Sequence, residues 1–111
     1  MALQEKQLGQ ARENSTNAVS VYSPAASTTA VVKNITITNT TGSAVDASLF
    51  VDDDGTTYDE STALLYQKSV PANDYIEYTG FVAMNNENGN IAYQSGTANA
   101  LTITIFGAEI T

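Results

Sequence analysis

The closing stretch of the chain, Leu101–Thr111 (LTITIFGAEIT), constrains the fold more tightly than any other. Leu101, Ile103 and Ile105 alternate with Thr102 and Thr104, the period-two pattern of a strand with one buried face. β-Branched side chains fill it, as suits a pleated surface. At Phe106 the parity changes, because apolar residues now fall at Phe106, Ala108 and Ile110, and Gly107 is the natural place for a bulge. Leu101, Ile103 and Ile105 are therefore expected in a core, and Ile110 on a different surface. So strong a strand at the end of the sequence is expected to complete a sheet built earlier.

The residues before it supply that sheet. Residues 18–22 (AVSVY) alternate and stop at Ser23-Pro24, a turn or sheet edge. In residues 28–39 (TTAVVKNITITN), Ile35 and Ile37 face inward and Asn34, Thr36 and Thr38 outward. Lys33 shares the inward parity, so either its stem snorkels at an edge or a bulge separates Val31 from Ile35. Asn39-Thr-Thr-Gly42-Ser has turn chemistry. Residues 45–52 (VDASLFVD) put Val45, Ala47, Leu49 and Val51 on one face, and 63–70 (ALLYQKSV) form a further strand. Residues 75–82 (YIEYTGFV) come next, with a bulge expected at Gly80, then a polar loop over 84–90 and a short strand over 91–94. Seven to eight short strands at roughly ten-residue spacing, with no helical stripe, predict an all-β fold. The architecture expected is an antiparallel β-sandwich, jelly-roll or immunoglobulin-like.

Residues 1–17 (MALQEKQLGQARENSTN) differ from the rest of the chain. Charged residues and amides dominate, Leu3 and Leu8 stand five apart, and Gly9 interrupts any helix. An extended N-terminal arm over 1–17 is expected, ahead of a sandwich domain over 18–111. The arm is either a frayed terminus or a segment ordered only against a neighbouring subunit. In the second case Leu3 and Leu8 are the anchors, with Arg12 beside them.

Composition narrows the function. A chain of 111 residues is one domain, long enough to bury roughly two-thirds of its unfolded surface. It has no Cys, His or Trp, so disulfides, thiolate sites and imidazole acid–base chemistry are excluded. The formal net charge is −8, with only Lys6, Arg12, Lys33 and Lys68 positive. That balance argues against binding nucleic acid or an anionic membrane. No run is long and apolar enough to be a transmembrane helix, and the N-terminus lacks a signal-peptide layout, so synthesis in the cytoplasm is expected. No cofactor or small-molecule substrate is expected.

One cluster raises a metal. With Asp46, the run Asp52-Asp53-Asp54-Gly55 followed by Asp59 and Glu60 places six of the twelve acids within fifteen residues. Carboxylates suit Ca²⁺ or Mg²⁺, and Asp52, Asp54 and Asp59 are the candidate ligands. The spacing fails the EF-hand pattern, since Gly55 at its sixth position would put Phe50 at the first. The plainer reading is a turn, with Asp54-Gly55 at positive φ. No paired carboxylates at glycosidase spacing, nucleophile–base pair or phosphate-binding glycine loop occurs in the sequence. Asn14, Asn34 and Asn39 match the N-glycosylation pattern, as a Thr-rich chain does by chance. Tyr58, Tyr66, Tyr75, Tyr78 and Tyr93 could form a contact face; the plainer expectation is sheet margins with hydroxyls in water.

Taken together, LGQAR (8–12), VYSPAASTTAVVKNITITNTTGSA (21–44), LFVDDDGTTYD (49–59) and LTITIFGAEIT (101–111) resemble a recurring type of small tailed-bacteriophage protein. Its members share a short Leu-Gly-Gln arm, a sandwich of short strands, and a last strand closing in Phe-Gly-x-Glu-Ile-Thr. The resemblance covers nearly the whole chain and rests on strands and turns; it transfers no active-site residues. It implies a virion structural protein: a capsid decoration (cement) protein, or a component of the neck, tail or baseplate. Its implied partners are the major capsid protein and copies of itself, as a homotrimer on the capsid surface. The alternative is a module that binds a host-surface glycan or protein.

Overall fold

The computed structural model describes residues 2–111. Among them nine strands form. They are β1 (Leu3–Arg12), β2 (Val19–Tyr22), β3 (Thr29–Asn39), β4 (Val45–Asp52), β5 (Ala63–Val70), β6 (Tyr75–Tyr78), β7 (Val82–Met84), β8 (Asn90–Ser95) and β9 (Leu101–Ile110). One sheet runs β1-β9-β3-β6, with β7 also on β3; the other runs β2-β8-β4-β5. All pairings are antiparallel. The successive partners β1:β9, β2:β8, β3:β6/β7 and β4:β5 describe one long two-stranded ribbon, folded at the 53–62 loop and wound on itself. That winding is a jelly roll, the first of the two sandwich types expected.

The final strand takes the central role its sequence suggests, lying between β1 and β3. Leu101, Ile103 and Ile105 are fully buried, opposite Asn39, Ile37 and Ile35 of β3. From the facing sheet Ala47, Leu49, Ile91 and Tyr93 close the core. On the outer face Thr36 pairs with Thr104 and Thr38 with Thr102, a ladder of β-branched side chains toward solvent.

Two expectations about β-bulges need correction, and one alternative is decided. Gly107 is not itself the bulge: β9 runs through without a slip, and the extra residues are Leu8 in β1 and Lys33 in β3, on either side of it. A Cβ on Gly107 would lie 2.2 Å from the Val31 carbonyl oxygen, so glycine is required by the close backbone approach of β3. The bulge also settles Lys33: it sits out in solvent, and Val32 and Ala30, not Val31, continue the buried row. Gly80 does not bulge a single strand but separates β6 from β7, and Met84 ends β7 buried where a polar loop was expected.

Leu3–Arg12 is extended, as expected of the N-terminal segment, yet it is a strand of the sheet, paired with β9 from Leu3–Ile110 to Arg12–Thr102. The strand count rises to nine because of β1 and the split at Gly80.

Asn39 fixes the corner where the chain leaves β3. It is 1% exposed, and its Nδ2 donates to the carbonyls of Ser43 (2.8 Å) and Val70 (3.0 Å). Its Oδ1 accepts from the Thr41 amide (2.9 Å) and hydroxyl (2.8 Å). The NTTGS segment is therefore organised by its first residue, whose side chain replaces backbone partners in the turn.

Candidate functional site

The candidate sites are surfaces, and the sequence marks three. The first is the acidic loop after β4. Asp52 is nearly buried, and its carboxylate accepts from the amides of Asp54 (3.1 Å) and Thr57 (2.9 Å). Those bonds hold Asp52 below the usual carboxylate range. Asp54, hydrogen-bonded to and repelled by Asp52, is pushed up. Asp59 caps its own turn, accepting from the Ser61 amide (2.8 Å) and hydroxyl (2.5 Å), and is held low by them. The carboxylates thus serve the loop, and among the described residues no three acids gather as a metal cage. Asp52 and Asp54 are adjacent, and Asp59 does not join them in a group of three. Gly55 does not take the positive φ expected of an Asp-Gly turn; Ser27, Gln67, Asn73 and Asn99 do.

The second surface is the N-terminal segment. Leu3 is 65% exposed at the start of β1. Leu8 is half-buried in its bulge, packed against the core. Arg12 donates from Nη2 to the Asn99 carbonyl oxygen at 2.6 Å within the same chain. Of the three residues proposed as anchors, Leu3 alone projects freely. Ile110, half-buried, stands opposite it, and further along the same outer face, beyond Glu5 and Ala108, Phe106 is 43% exposed. The parity change at Phe106 in the sequence is the signal for this patch. The apolar residues switch to the outer face while the strand continues.

Beneath that patch lies an ionic cluster that the sequence does not disclose. Lys6 Nζ is 2.7 Å from Glu109 Oε1, and the Tyr22 hydroxyl donates to Glu109 Oε2 at 2.6 Å. These two donors hold Glu109 below the usual range, while burial first and the Glu109 carboxylate second push Tyr22 well up. Tyr22 turns inward because Val21 is an extra residue in β2. Lys33 pairs with Glu5 at 3.1 Å, bridging β3 to β1 across β9.

The third surface is the tyrosine set, which divides. Tyr66 and Tyr75 are exposed on the edge strands β5 and β6, as margin residues should be. Tyr93 is fully buried, contrary to expectation, and its hydroxyl accepts from the Glu13 amide at 2.7 Å. Burial raises its pKa. It shares the parity of Ile91, so the short β8 motif does contain the signal. Its side chain crosses the core and ties β8 to the end of β1.

No family model matches the chain, and no curated protein matches it in sequence. Among solved structures it is similar to a chain in the structure of infectious bursal disease virus Gx strain, with 7% identity and a TM-score of 0.41. That match covers 96% of this chain and 28% of the other. A chain of the Gt strain matches at 11% identity and a TM-score of 0.27, over 97% of this chain and 29% of that one. The chain thus spans under a third of the length of either.

Proposed function

We propose that this chain is a structural subunit of a tailed-bacteriophage virion, a capsid decoration protein that binds the outside of the major capsid shell and stabilises it. The observation that carries this reading is the resemblance along 8–12, 21–44, 49–59 and 101–111, which spans nearly the whole chain. In the fold these stretches fall in strands β1, β2, β3, β4 and β9 with their turns, and a resemblance in scaffold residues supports a scaffold role. The jelly roll is a recurrent architecture of viral capsid domains, an analogy at the level of fold. The outer face of β1 and β9, which carries Leu3, Ile110 and Phe106, is the surface assigned to assembly, either on the shell or between copies in a trimer.

The test is the number of copies in purified particles, measured by quantitative mass spectrometry. A decoration protein is present in proportion to the shell lattice. A copy number limited to the tail symmetry would overturn the capsid reading and favour the second one, a neck, tail or baseplate component. That second reading draws on the exposed Tyr66 and Tyr75, which suit contact with a host surface.

A further inference from the structure

The 53–62 loop covers part of the outer face of the sheet β2-β8-β4-β5. Near the end of β4, Tyr58 of the 53–62 loop lies against the buried Phe50, with ring centroids 6.3 Å apart. Toward the start of β4 the face opens into a cleft of about 300 Å³, lined by Thr16, Asp46, Ser48, Gln67, Gln94 and Gly96. The lining is made of hydroxyls, amides and one carboxylate, with no cation.

The groups are held in place from behind. Gln94 Nε2 donates to the Thr16 carbonyl oxygen at 3.0 Å, which fixes the amide and leaves its oxygen to accept. The Ser48 hydroxyl oxygen accepts from the Gln67 amide at 2.9 Å, and its proton is left to donate. The Gly96 amide donates to the Asp46 carbonyl oxygen at 2.9 Å, while the Asp46 side chain stays exposed.

Gln67 is the telling residue. Tyr66 and Gln67 together oppose Ser48, a two-for-one bulge, and Gln67 sits at φ 49°. Glycine would take that conformation without strain and would forfeit only the side chain. Strain retained at a non-glycine residue points to use of its side chain, and this one lines the cleft.

We infer that this cleft binds a neutral, hydroxyl-rich sugar unit of a glycan. A carboxylate flanked by amides pairs with vicinal hydroxyls, which both donate and accept. Anions are disfavoured by Asp46 and by the chain's charge of −8. The volume lies at the lower end of the roughly 300–1,000 Å³ of ligand pockets, room for a small ligand. The inference goes beyond the virion reading and does not rest on it, since a shell subunit or a tail component could each carry such a site.

The experiment is amide chemical-shift mapping of the full chain with glucose, galactose, mannose and N-acetylglucosamine, titrated to concentrations well above a millimolar Kd. At least one sugar is expected to shift the amides of Asp46, Gln67, Gln94 and Gly96 saturably. Gln67→Gly and Asp46→Asn should each weaken that binding at least about tenfold, with Gln67→Gly melting no lower than the parent. No saturable shift at these amides with any of the four sugars, or equal binding by Gln67→Gly, would overturn the proposal. A trilysine peptide that shifted the same amides where the sugars did not would replace it with a cationic-peptide site.

Discussion

Single residues in this chain act mostly through hydrogen bonds that composition does not reveal. Asn39 uses both amide hydrogens and its oxygen at one corner. Its replacement by alanine strands the buried Val70 carbonyl of β5, at about 1–3 kcal/mol for a group left unpaired, and removes the acceptor of the Thr41 amide. Urea unfolding of Asn39→Ala should therefore show a loss of about 3 kcal/mol. Glu109 gives a pH prediction with a definite sign. Its folded pKa lies below the unfolded value of 4.5, so its contribution is full at neutral pH and is lost as pH falls through the carboxylate range. Asp52 and Asp59 act in the same direction, and Asp54 opposes them. Tyr22 has the reverse sign: its raised pKa stabilises the fold below pH 10, and the contribution is lost only as pH rises well beyond it. Melting temperature against pH should flatten on the acid side in Glu109→Gln and on the alkaline side in Tyr22→Phe. Unchanged slopes would show that the Lys6–Glu109–Tyr22 cluster does not govern either limb.

At the scale of the strand, bulges decide what the sequence can tell. Wherever alternation is unbroken, as in Leu101–Ile105, the pattern yields both the strand and its buried face. It fails where an extra residue flips the parity, because one residue exchanges inside for outside. Val21, Leu8, Lys33 and the Tyr66-Gln67 pair are such places. Phe50 escapes the pattern for another reason: the 53–62 loop covers the face that alternation assigns to solvent, and loop cover leaves no period. The acidic run resembles a ligand set because spacing does not say which carboxylates are occupied by their own backbone. The bulges also guard the edges. β1 carries Leu8 and Lys6, β5 carries its kink and Lys68, and β2, β6 and β7 are short, all of which discourage sheet extension by another chain. Where two bulges converge, Gly107 has no room for a methyl group, so Gly107→Ala is expected to cost about 3 kcal/mol. Urea unfolding checks it, and a loss under about 1 kcal/mol would mean that β3 moves aside freely.

For the whole molecule, the ribbon winding makes β1 part of the fold as well as a candidate anchor. Deleting residues 2–13 would uncover β9 along its length, so the truncated chain should melt lower and aggregate. That variant cannot separate anchoring from folding; Leu3→Asp can, because Leu3 is exposed. Leu3→Asp should keep the parent melting temperature and lose particle association, measured by co-sedimentation with shells lacking the native protein. Normal association would remove Leu3 from the interface. The same winding brings the two ends of the described chain together: the Ala2 amide donates to Thr111 O and the Thr111 amide to Ala2 O, each at 3.0 Å. A short linker would therefore close the chain into a ring, and reopening it within 53–62 should give a circular permutant with the parent circular dichroism spectrum. An affinity tag fused to either end would emerge beside Leu3 and Ile110 and shade the apolar patch, whereas an insertion at 53–62 would leave it free.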